Sequence, residues 1–200
     1  MKVIIIEGPD GCGKTTQVNL LREKIPSLKY YREPGSTAVG ERLRSILLDP
    51  EVGDLDPITE AMMFTASRIE LYKHIKENSN DDDVIIFDRS YISTYVYQLY
   101  NADNALSFQL KKLTKEIIYK FIPDHHVLYI RTPYEVLKTR RKSRGDKDRF
   151  EDKSDEDHNR VFCAYEALLH DEYDYIIDGN NSIEEIHQSI NDIVKLLIHK

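Results

Sequence analysis

The sequence predicts an α/β protein in three layers, a five-stranded parallel sheet flanked by helices on both faces. Five short apolar runs alternate with longer stretches of helical periodicity, and this alternation is typical of strand–helix–strand units. Several runs are continuously apolar, which indicates strands that are buried on both faces. Strands connected through helices in this way lie parallel in the sheet. A length of 200 residues fits a single domain over residues 1–200.

The predicted elements follow the chain in a regular order. A first strand at 2–7 precedes a helix whose apolar face carries Val18, Leu21 and Ile25, and Pro26 ends that helix. The remaining strands are predicted at 28–32, 84–88, 126–131 and 173–177. Further helices are predicted at 40–48, 57–77, 107–120, 133–143, 154–169 and 183–198.

Composition excludes several classes of protein. The formal net charge is −7, from 28 Lys and Arg against 35 Asp and Glu, and an acidic chain argues against general nucleic-acid binding. The two cysteines, Cys12 and Cys163, fit a reduced compartment better than a disulfide framework. The N-terminal apolar run is far shorter than a signal-peptide core, and no stretch approaches a membrane span. We therefore expect a cytoplasmic protein without nucleic-acid or membrane partners.

A phosphate-binding loop (P-loop) follows the first predicted strand. Residues 8–15 read GPDGCGKT, a complete G-x-x-x-x-G-K-[ST] pattern between a β-branched strand and an amphipathic helix. Glycines let backbone N–H groups approach phosphate oxygens, and the helix N-terminus favours the same anion. Lys14 would reach the β- and γ-phosphates of a nucleoside triphosphate, and Thr15 would hold Mg²⁺. The predicted nucleotide-binding residues of the loop are Gly8, Asp10, Gly11, Cys12, Gly13, Lys14, Thr15 and Thr16. The alternative is a glycine-rich turn that binds nothing.

Polar residues end the third strand at the edge where ligands bind in parallel sheets. Beside a P-loop, the carboxylate of Asp88 would hold Mg²⁺ together with Thr15. Arg89 would point into the same cleft, where its planar fork of donors suits a phosphate. The alternative for Arg89 is a structural pair with Asp88. A GTPase is disfavoured, because the chain has no Asn-Lys-x-Asp segment and no Asp-x-x-Gly after the third strand.

The chain resembles the thymidylate kinase family nearly from end to end. This resemblance implies a P-loop kinase fold with a short helical lid, and transfer of the γ-phosphate of ATP to dTMP with Mg²⁺. The second and fourth of the segments that carry it are the most specific, since few other P-loop kinases have both. The four segments are EGPDGCGKTT at 7–16, REPGSTAVGE at 32–41, EAMMFTASR at 60–68 and DRSYISTYVYQ at 88–98.

The resemblance also implies roles in binding the acceptor nucleotide. Asp10 would bind the sugar 3′-hydroxyl, Phe64 would stack on thymine, and Arg68 would donate to a thymine carbonyl. Tyr97 would exclude a 2′-hydroxyl, and Arg89 would grip the acceptor phosphate. A core aromatic and a solvated arginine are the alternatives for Phe64 and Arg68. The complete implied acceptor set is Asp10, Arg32, Pro34, Arg44, Phe64, Arg68, Arg89, Thr94, Tyr97 and Gln98.

The basic segment at about 140–152 resembles the lid of the family. Some members carry an arginine in the P-loop where this chain has Gly11; those without it supply the catalytic cation from the lid. The resemblance therefore implies Arg144 and Arg149 as catalytic residues beside Lys14, Arg89 and Asp10, with Arg140 and Lys142 as further nucleotide contacts. Adenine would lie between the lid and the loop 178–182. A solvated loop is the alternative.

Two departures from the family pattern concern the acceptor. Ser90 replaces an aromatic residue that commonly follows Asp-Arg, and Ser36 replaces a second glycine. Broader specificity for deoxynucleoside monophosphates, dUMP first among them, is therefore one alternative function. A nucleotide-binding regulator without turnover is another. The resemblance further implies a homodimer, formed through the helices around residues 57–77 and 91–100.

Overall fold

The computed structural model describes residues 1–100, 105–143 and 149–198. Within these residues a five-stranded sheet has the order β2-β3-β1-β4-β5, and all four strand pairs are parallel. The strands are β1 (Lys2–Glu7), β2 (Lys29–Arg32), β3 (Val84–Asp88), β4 (His125–Arg131) and β5 (Tyr175–Asp178). The predicted fold class is confirmed, and each strand lies within two residues of its predicted start.

Helices connect the strands and cover both faces. The longer ones are α1 (Lys14–Lys24), α2 (Ala38–Leu48), α3 (Pro57–Asn78), α5 (Ala105–Phe121), α6 (Tyr134–Lys142), α7 (Asp155–Ala167) and α8 (Ile183–Ile198). Between β3 and α5, the short helix α4 (Tyr91–Thr94) continues into a π-helical turn at Tyr95–Leu99. A 3₁₀ turn at Pro50–Val52 follows α2. Of the described helices, none combines the length and apolar character needed to cross a membrane.

Burial on both sides of β1 explains its unbroken apolar sequence. Val3 and Ile5 point to one face of the sheet, and Ile4 and Ile6 to the other; all four are fully buried. The first face packs against α3, α4, α5 and α7, and the second against α1 and α8. Each fully buried aliphatic side chain contributes about 1.5–3 kcal/mol to the stability of the fold.

The same sheet brings the predicted functional segments to one edge. In the register of the strands, Asp88 lies beside Ile6 of β1 and beside Arg32 of β2. Because all strands run parallel, the P-loop after β1, the segment after β2 and the Asp88-Arg89 pair meet at their carboxyl ends.

Candidate active site

The P-loop has the backbone that anion binding requires. Gly11 and Gly13 have φ values of 92° and 100°, in the left-handed region that a side chain makes costly. Gly13 is also the N-cap of α1, so the first free N–H groups of that helix face the loop. The ammonium of Lys14 is buried, and it donates to the carbonyls of Gly8 at 2.7 Å and Pro9 at 3.0 Å.

The other loop residues are accounted for. Cys12 is fully buried in the core between the sheet and α1, as a small apolar residue would be. Thr15 and Thr16 are exposed in the first turn of α1. Gly11 packs against α6: a Cβ built on it would lie 3.3 Å from the carbonyl oxygen of Leu137. The family's alternative arginine at position 11 therefore would not fit here without moving α6.

Thr15 and Asp88 fit the predicted magnesium site. The Thr15 hydroxyl donates to Oδ2 of Asp88 at 2.9 Å, joining the P-loop to the end of β3. The other carboxylate oxygen, Oδ1, is buried and has no hydrogen-bond partner within the described residues. An orphaned carboxylate oxygen beside a threonine hydroxyl is a donor set that suits a hard divalent cation.

A cavity lies beyond the P-loop, between α2, α3 and α4 with its π turn. Nine of the ten residues predicted for the acceptor line it, so distant segments converge as expected. The exception is Arg32. The lining comprises Asp10, Glu33, Pro34, Arg44, Leu48, Phe64, Arg68, Arg89, Ser90, Ser93, Thr94, Tyr97, Gln98 and Phe150.

A second cavity adjoins it on the P-loop side, and residues of the P-loop line it. Glu33, Arg44 and Arg89 line both cavities, which places their side chains at the boundary. Arg32 lines only the P-loop cavity, where its guanidinium pairs with Glu41 at 2.9 Å. Glu41, nine residues later, holds Arg32 at the surface, and a role of Arg32 toward the acceptor phosphate stays a prediction. The full lining is Gly11, Gly13, Lys14, Thr15, Arg32, Glu33, Arg44, Asp88 and Arg89.

Arg68 is a fixed and almost completely buried cation. Its Nε donates to Glu33 at 2.7 Å and its Nη2 to the Thr94 hydroxyl at 3.0 Å. Burial opposes the charged form of Arg68, but Glu33 together with Tyr72 and Glu7 outweighs this effect, and the pKa of the guanidinium is raised. Burial also raises the pKa of Glu33, and Arg68 only partly offsets it. The third nitrogen, Nη1, has no partner within the described residues, so it is a buried donor that requires an acceptor.

Asp10, Arg89 and Tyr97 form a cluster at the boundary of the two cavities. Arg89 pairs with one oxygen of Asp10, and the Tyr97 hydroxyl donates to the other at 2.7 Å. Burial opposes the charge of Arg89, but Asp10 and nearby hydroxyl groups keep its pKa above the usual value. Burial and then the charge of Asp10 raise the pKa of Tyr97, so that its hydroxyl stays protonated. The carboxylate that pairs with Arg89 in this structure is thus that of Asp10, and not that of Asp88.

An aromatic cluster closes the far side of the acceptor cavity. The ring of Phe150, in the predicted lid segment, lies 5.9 Å from that of Phe64 and 6.3 Å from that of Tyr97. Ser90 lines the cavity where an aromatic residue is common in the family, while neighbouring Tyr91 donates to Glu172 at 2.6 Å. Apolar walls of this kind suit the faces of a planar base.

The lid residues occupy different surroundings. Arg140 donates to the carbonyls of Gly11 and Gly179, between the P-loop and the loop 178–182. Lys142 is exposed at the end of α6. Arg144 lies outside the described residues. The predicted lid therefore begins at the end of α6, as expected, but its centre is not described.

Arg149 does not lie at the phosphates in this conformation. Its guanidinium is buried, pairs with Glu60 at 2.7 Å and donates to the carbonyls of Leu47 and Gly53. The other oxygen of Glu60 accepts from Gln98 at 3.1 Å. Arg149 thus fastens the end of the lid to α3, because a buried carboxylate there requires a cation.

Four residues around the site escaped assignment from the sequence. Glu7, Glu33 and Glu60 lie inside the segments that carry the family resemblance. Glu7 directly precedes the glycine-rich loop, Glu33 follows an arginine, and Glu60 begins the 60–68 segment. Tyr165 of α7 had no such sequence signal, since it is 158 positions from the Glu7 carboxylate that its hydroxyl contacts at 3.0 Å. All four are buried and hold other site residues by hydrogen bonds.

The P-loop lines one cavity, and a second cavity lined by arginines adjoins it. This arrangement is typical of a phosphotransferase of the P-loop kinase class. Residues 6–190 match the family model for thymidylate kinase. The chain belongs to the thymidylate kinase family.

Individual relatives agree with this assignment. The chain is 38% identical to the thymidylate kinase of Caldanaerobacter subterraneus subsp. tengcongensis over 197 residues, which cover 94% of this chain and 92% of the relative. It is 35% identical to that of Legionella pneumophila strain Paris, with 98% and 95% covered. Among solved structures, the thymidylate kinase of Candida albicans aligns with a TM-score of 0.74 and 25% identity. That alignment covers 100% of this chain and 93% of the Candida enzyme, whose structure is described as revealing the origin of that enzyme's broad substrate specificity.

Proposed function

We propose that this protein transfers the γ-phosphate of ATP to dTMP, giving dTDP and ADP. The observation that carries the proposal is the pair of adjoining cavities that share Glu33, Arg44 and Arg89. Two polyanions must meet for such a transfer, and the shared arginines lie where their phosphates would face each other. Membership of the thymidylate kinase family supports dTMP as the acceptor.

Arg68 and Phe64 support recognition of a thymine base. Arg68 lines the acceptor cavity, and its Nη1, which has no partner among the described residues, would donate to the base carbonyl at position 4. Phe64 and Phe150 would hold the faces of the ring. Tyr97 would stand beside the sugar, since its hydroxyl is fixed on Asp10, the proposed partner of the 3′-hydroxyl.

The transfer itself needs positioning and positive charge rather than a strong base, because the acceptor phosphate is already ionised. Arg89 and Arg44 would hold the acceptor phosphate in line with ATP. Lys14 would leave its loop carbonyls for the terminal phosphates of the donor. Thr15 and Asp88 would hold Mg²⁺, which supplies positive charge to the phosphate oxygens.

The lid would complete the site and exclude water. We retain Arg144 as the proposed catalytic cation of the lid. Arg149 is assigned instead to anchoring the lid, given its pairing with Glu60. Arg140 and Lys142 remain proposed nucleotide contacts, and the position of Arg140 against Gly179 supports an adenine site beside the loop 178–182.

We propose a homodimer formed through α3 and α2. Met62 and Ile69 are exposed on α3, and Val39 and Ile46 on α2; each pair is spaced seven residues apart on one helix face. In the region 91–100, by contrast, most side chains are buried within the chain, so α2 replaces it in the proposed interface. Light scattering of the Met62→Lys variant should give half the molar mass of the wild type. An unchanged mass would contradict this interface.

We place the reaction in the cytoplasm. Cys12 and Cys163 are both free thiols, as expected in a reducing compartment. Fractionation of cells expressing the chain should recover it with cytoplasmic markers, and recovery with membranes or outside the cell would contradict this placement.

An acceptor panel tests the proposed function. ADP release from ATP and Mg²⁺ is measured with dTMP, dUMP, dCMP, dGMP, AMP or no acceptor. We expect dTMP to give the highest kcat/KM. Comparable rates with several deoxynucleotides would instead support the broader kinase. ATP binding without acceptor-dependent turnover would support the regulator.

A further inference from the structure

Glu7 at the end of β1 is a fully buried carboxylate for which phosphoryl transfer offers no direct role. Its Oε1 accepts from the backbone N–H groups of Ser90 at 2.7 Å and Ser93 at 3.3 Å. Its Oε2 accepts from the hydroxyls of Ser93 at 2.9 Å and Tyr165 at 3.0 Å. Burying a carboxylate costs free energy that hydrogen bonds from neutral donors rarely offset, so we expect a function for this group of donors.

The residue that these contacts surround is Arg89. Its φ is 74°, a left-handed conformation that costs a non-glycine residue on the order of 1–3 kcal/mol and persists only when its surroundings fix it. The Arg89 N–H donates to the carbonyl of Ile6 at 3.1 Å, and the next N–H, of Ser90, donates to Glu7. Ile6 and Glu7, at the end of β1, therefore accept hydrogen bonds from two consecutive N–H groups of the strained turn, those of Arg89 and Ser90.

Glu7 also accepts from three hydroxyl groups, those of Ser90, Ser93 and Tyr165, and the last two contact Arg89. Nη1 of Arg89 donates to the Ser93 hydroxyl at 3.0 Å and contacts the Tyr165 hydroxyl at 3.5 Å. Each of these two hydroxyls has one proton; when it donates to Glu7, its lone pairs face Arg89. Burial and then the charge of Glu7 raise the pKa of Tyr165, so its hydroxyl keeps the proton that it donates.

We propose that Glu7 is a positioning residue for the kinase reaction, which holds the turn and the guanidinium of Arg89 toward the acceptor phosphate through Ser90, Ser93 and Tyr165. Glu7 does not contact either substrate in this assignment and acts through Arg89. The inference rests on the proposed function, since it is the acceptor phosphate that Arg89 would bind.

The Glu7→Gln variant tests this role with almost no change in shape. Its amide places an N–H₂ group against donors. Either the N–H groups of Ser90 and Ser93 lose their acceptor, or the N–H of Gly8 loses it and the hydroxyls of Ser93 and Tyr165 turn their protons toward Arg89. We expect kcat/KM for dTMP to fall by about tenfold or more, through both KM and kcat. The Kd for ATP, measured by calorimetry on the same protein, should change by less than about twofold, because the P-loop backbone binds it.

A matched control separates positioning from general stability. Glu172 is another largely buried carboxylate next to α4, and it accepts from Tyr91 and Lys115, both at 2.6 Å. Glu172→Gln should lower the melting temperature and leave the kinetic constants for dTMP unchanged. In an Arg89→Lys background, Glu7→Gln should cause little further loss in kcat/KM. Glu7 acts through the guanidinium of Arg89, so both changes remove the same interaction with the acceptor phosphate.

Three results would overturn the positioning role of Glu7. They are Glu7→Gln kinetics within about twofold of the wild type, equal losses of affinity for ATP and dTMP, and losses that are fully additive with Arg89→Lys. Should Glu7→Gln fail to fold, Ser93→Ala and Tyr165→Phe each remove one link and should raise the KM for dTMP; unchanged values in both would also overturn it. A wild type that binds ATP but neither binds nor phosphorylates dTMP overturns the proposed function, and this inference with it.

Discussion

Replacing thymine by cytosine in the acceptor should expose the role of Arg68. Two of its nitrogens are committed, Nε to Glu33 at 2.7 Å and Nη2 to Thr94 at 3.0 Å, so the guanidinium cannot rotate to suit a different base. Its Nη1, which has no partner in the part of the chain that the structure describes, is a donor. Thymine presents a carbonyl at position 4, whereas cytosine presents an amino group that also donates.

The magnitude follows from one buried donor left without an acceptor. Such a group costs about 1–3 kcal/mol, which corresponds to roughly 5- to 150-fold in kcat/KM. dUMP keeps the carbonyl and loses only the methyl group, worth about 0.8 kcal/mol or roughly fourfold. The expected order of kcat/KM is therefore dTMP, then dUMP, then dCMP.

A coupled assay of ADP release gives these ratios directly. The variant for comparison is Arg68→Met combined with Glu33→Gln, because Arg68→Met alone would leave the Glu33 carboxylate buried without its cation. This double variant should bring dUMP and dCMP, which both lack the methyl group, to within about threefold of each other. If the wild type already uses dCMP within about threefold of dUMP, Nη1 of Arg68 is not directed at the base and the reasoning is refuted.

Four further predictions concern catalysis and stability. Lys14→Ala should lower kcat by about 10²- to 10³-fold while calorimetry shows unchanged dTMP binding; a smaller loss would contradict its role at the donor phosphates. Asp88→Asn should raise the Mg²⁺ concentration for half-maximal activity, and an unaltered Mg²⁺ titration would argue against the proposed metal site. Glu60→Gln should lower the free energy of unfolding in urea by about 3–5 kcal/mol, since it leaves the buried Arg149 unpaired; a loss below about 1 kcal/mol would contradict the anchor. Burial lowers the pKa of His187, so the unfolded state takes up a proton first and stability should fall as the pH drops below about 6.5. The His187→Leu variant should lose less stability between pH 7 and 5, and an identical pH profile would exclude this histidine as a cause.

The arrangement of strands was predictable because burial leaves a direct trace in the sequence. Strands β1 and β3 are covered on both faces, so their apolar runs have no polar interruption. The helix around 91–100 was expected, but its π turn at Tyr95–Leu99 was not, since five-residue hydrogen bonding has no simple sequence pattern. That turn carries Tyr97, which contacts Asp10, and Gln98, which contacts Glu60.

The candidate site was predictable where it depends on local motifs and family resemblance. The P-loop, Asp88 and most of the acceptor residues meet because they follow strands of one parallel sheet. The positions of Arg32 and Arg149 were not predictable from the sequence for a common reason. A sequence shows a cation but not its carboxylate partner, and Glu41 and Glu60 decide where these two arginines lie.

Transfer of a radiolabelled γ-phosphate from ATP tests the central claim most directly. Purified protein is incubated with labelled ATP, Mg²⁺ and dTMP, and the nucleotides are separated. We predict that the label appears in dTDP in amounts equal to the ADP formed. Label released as inorganic phosphate, or left in ATP whatever the dTMP concentration, would contradict the account.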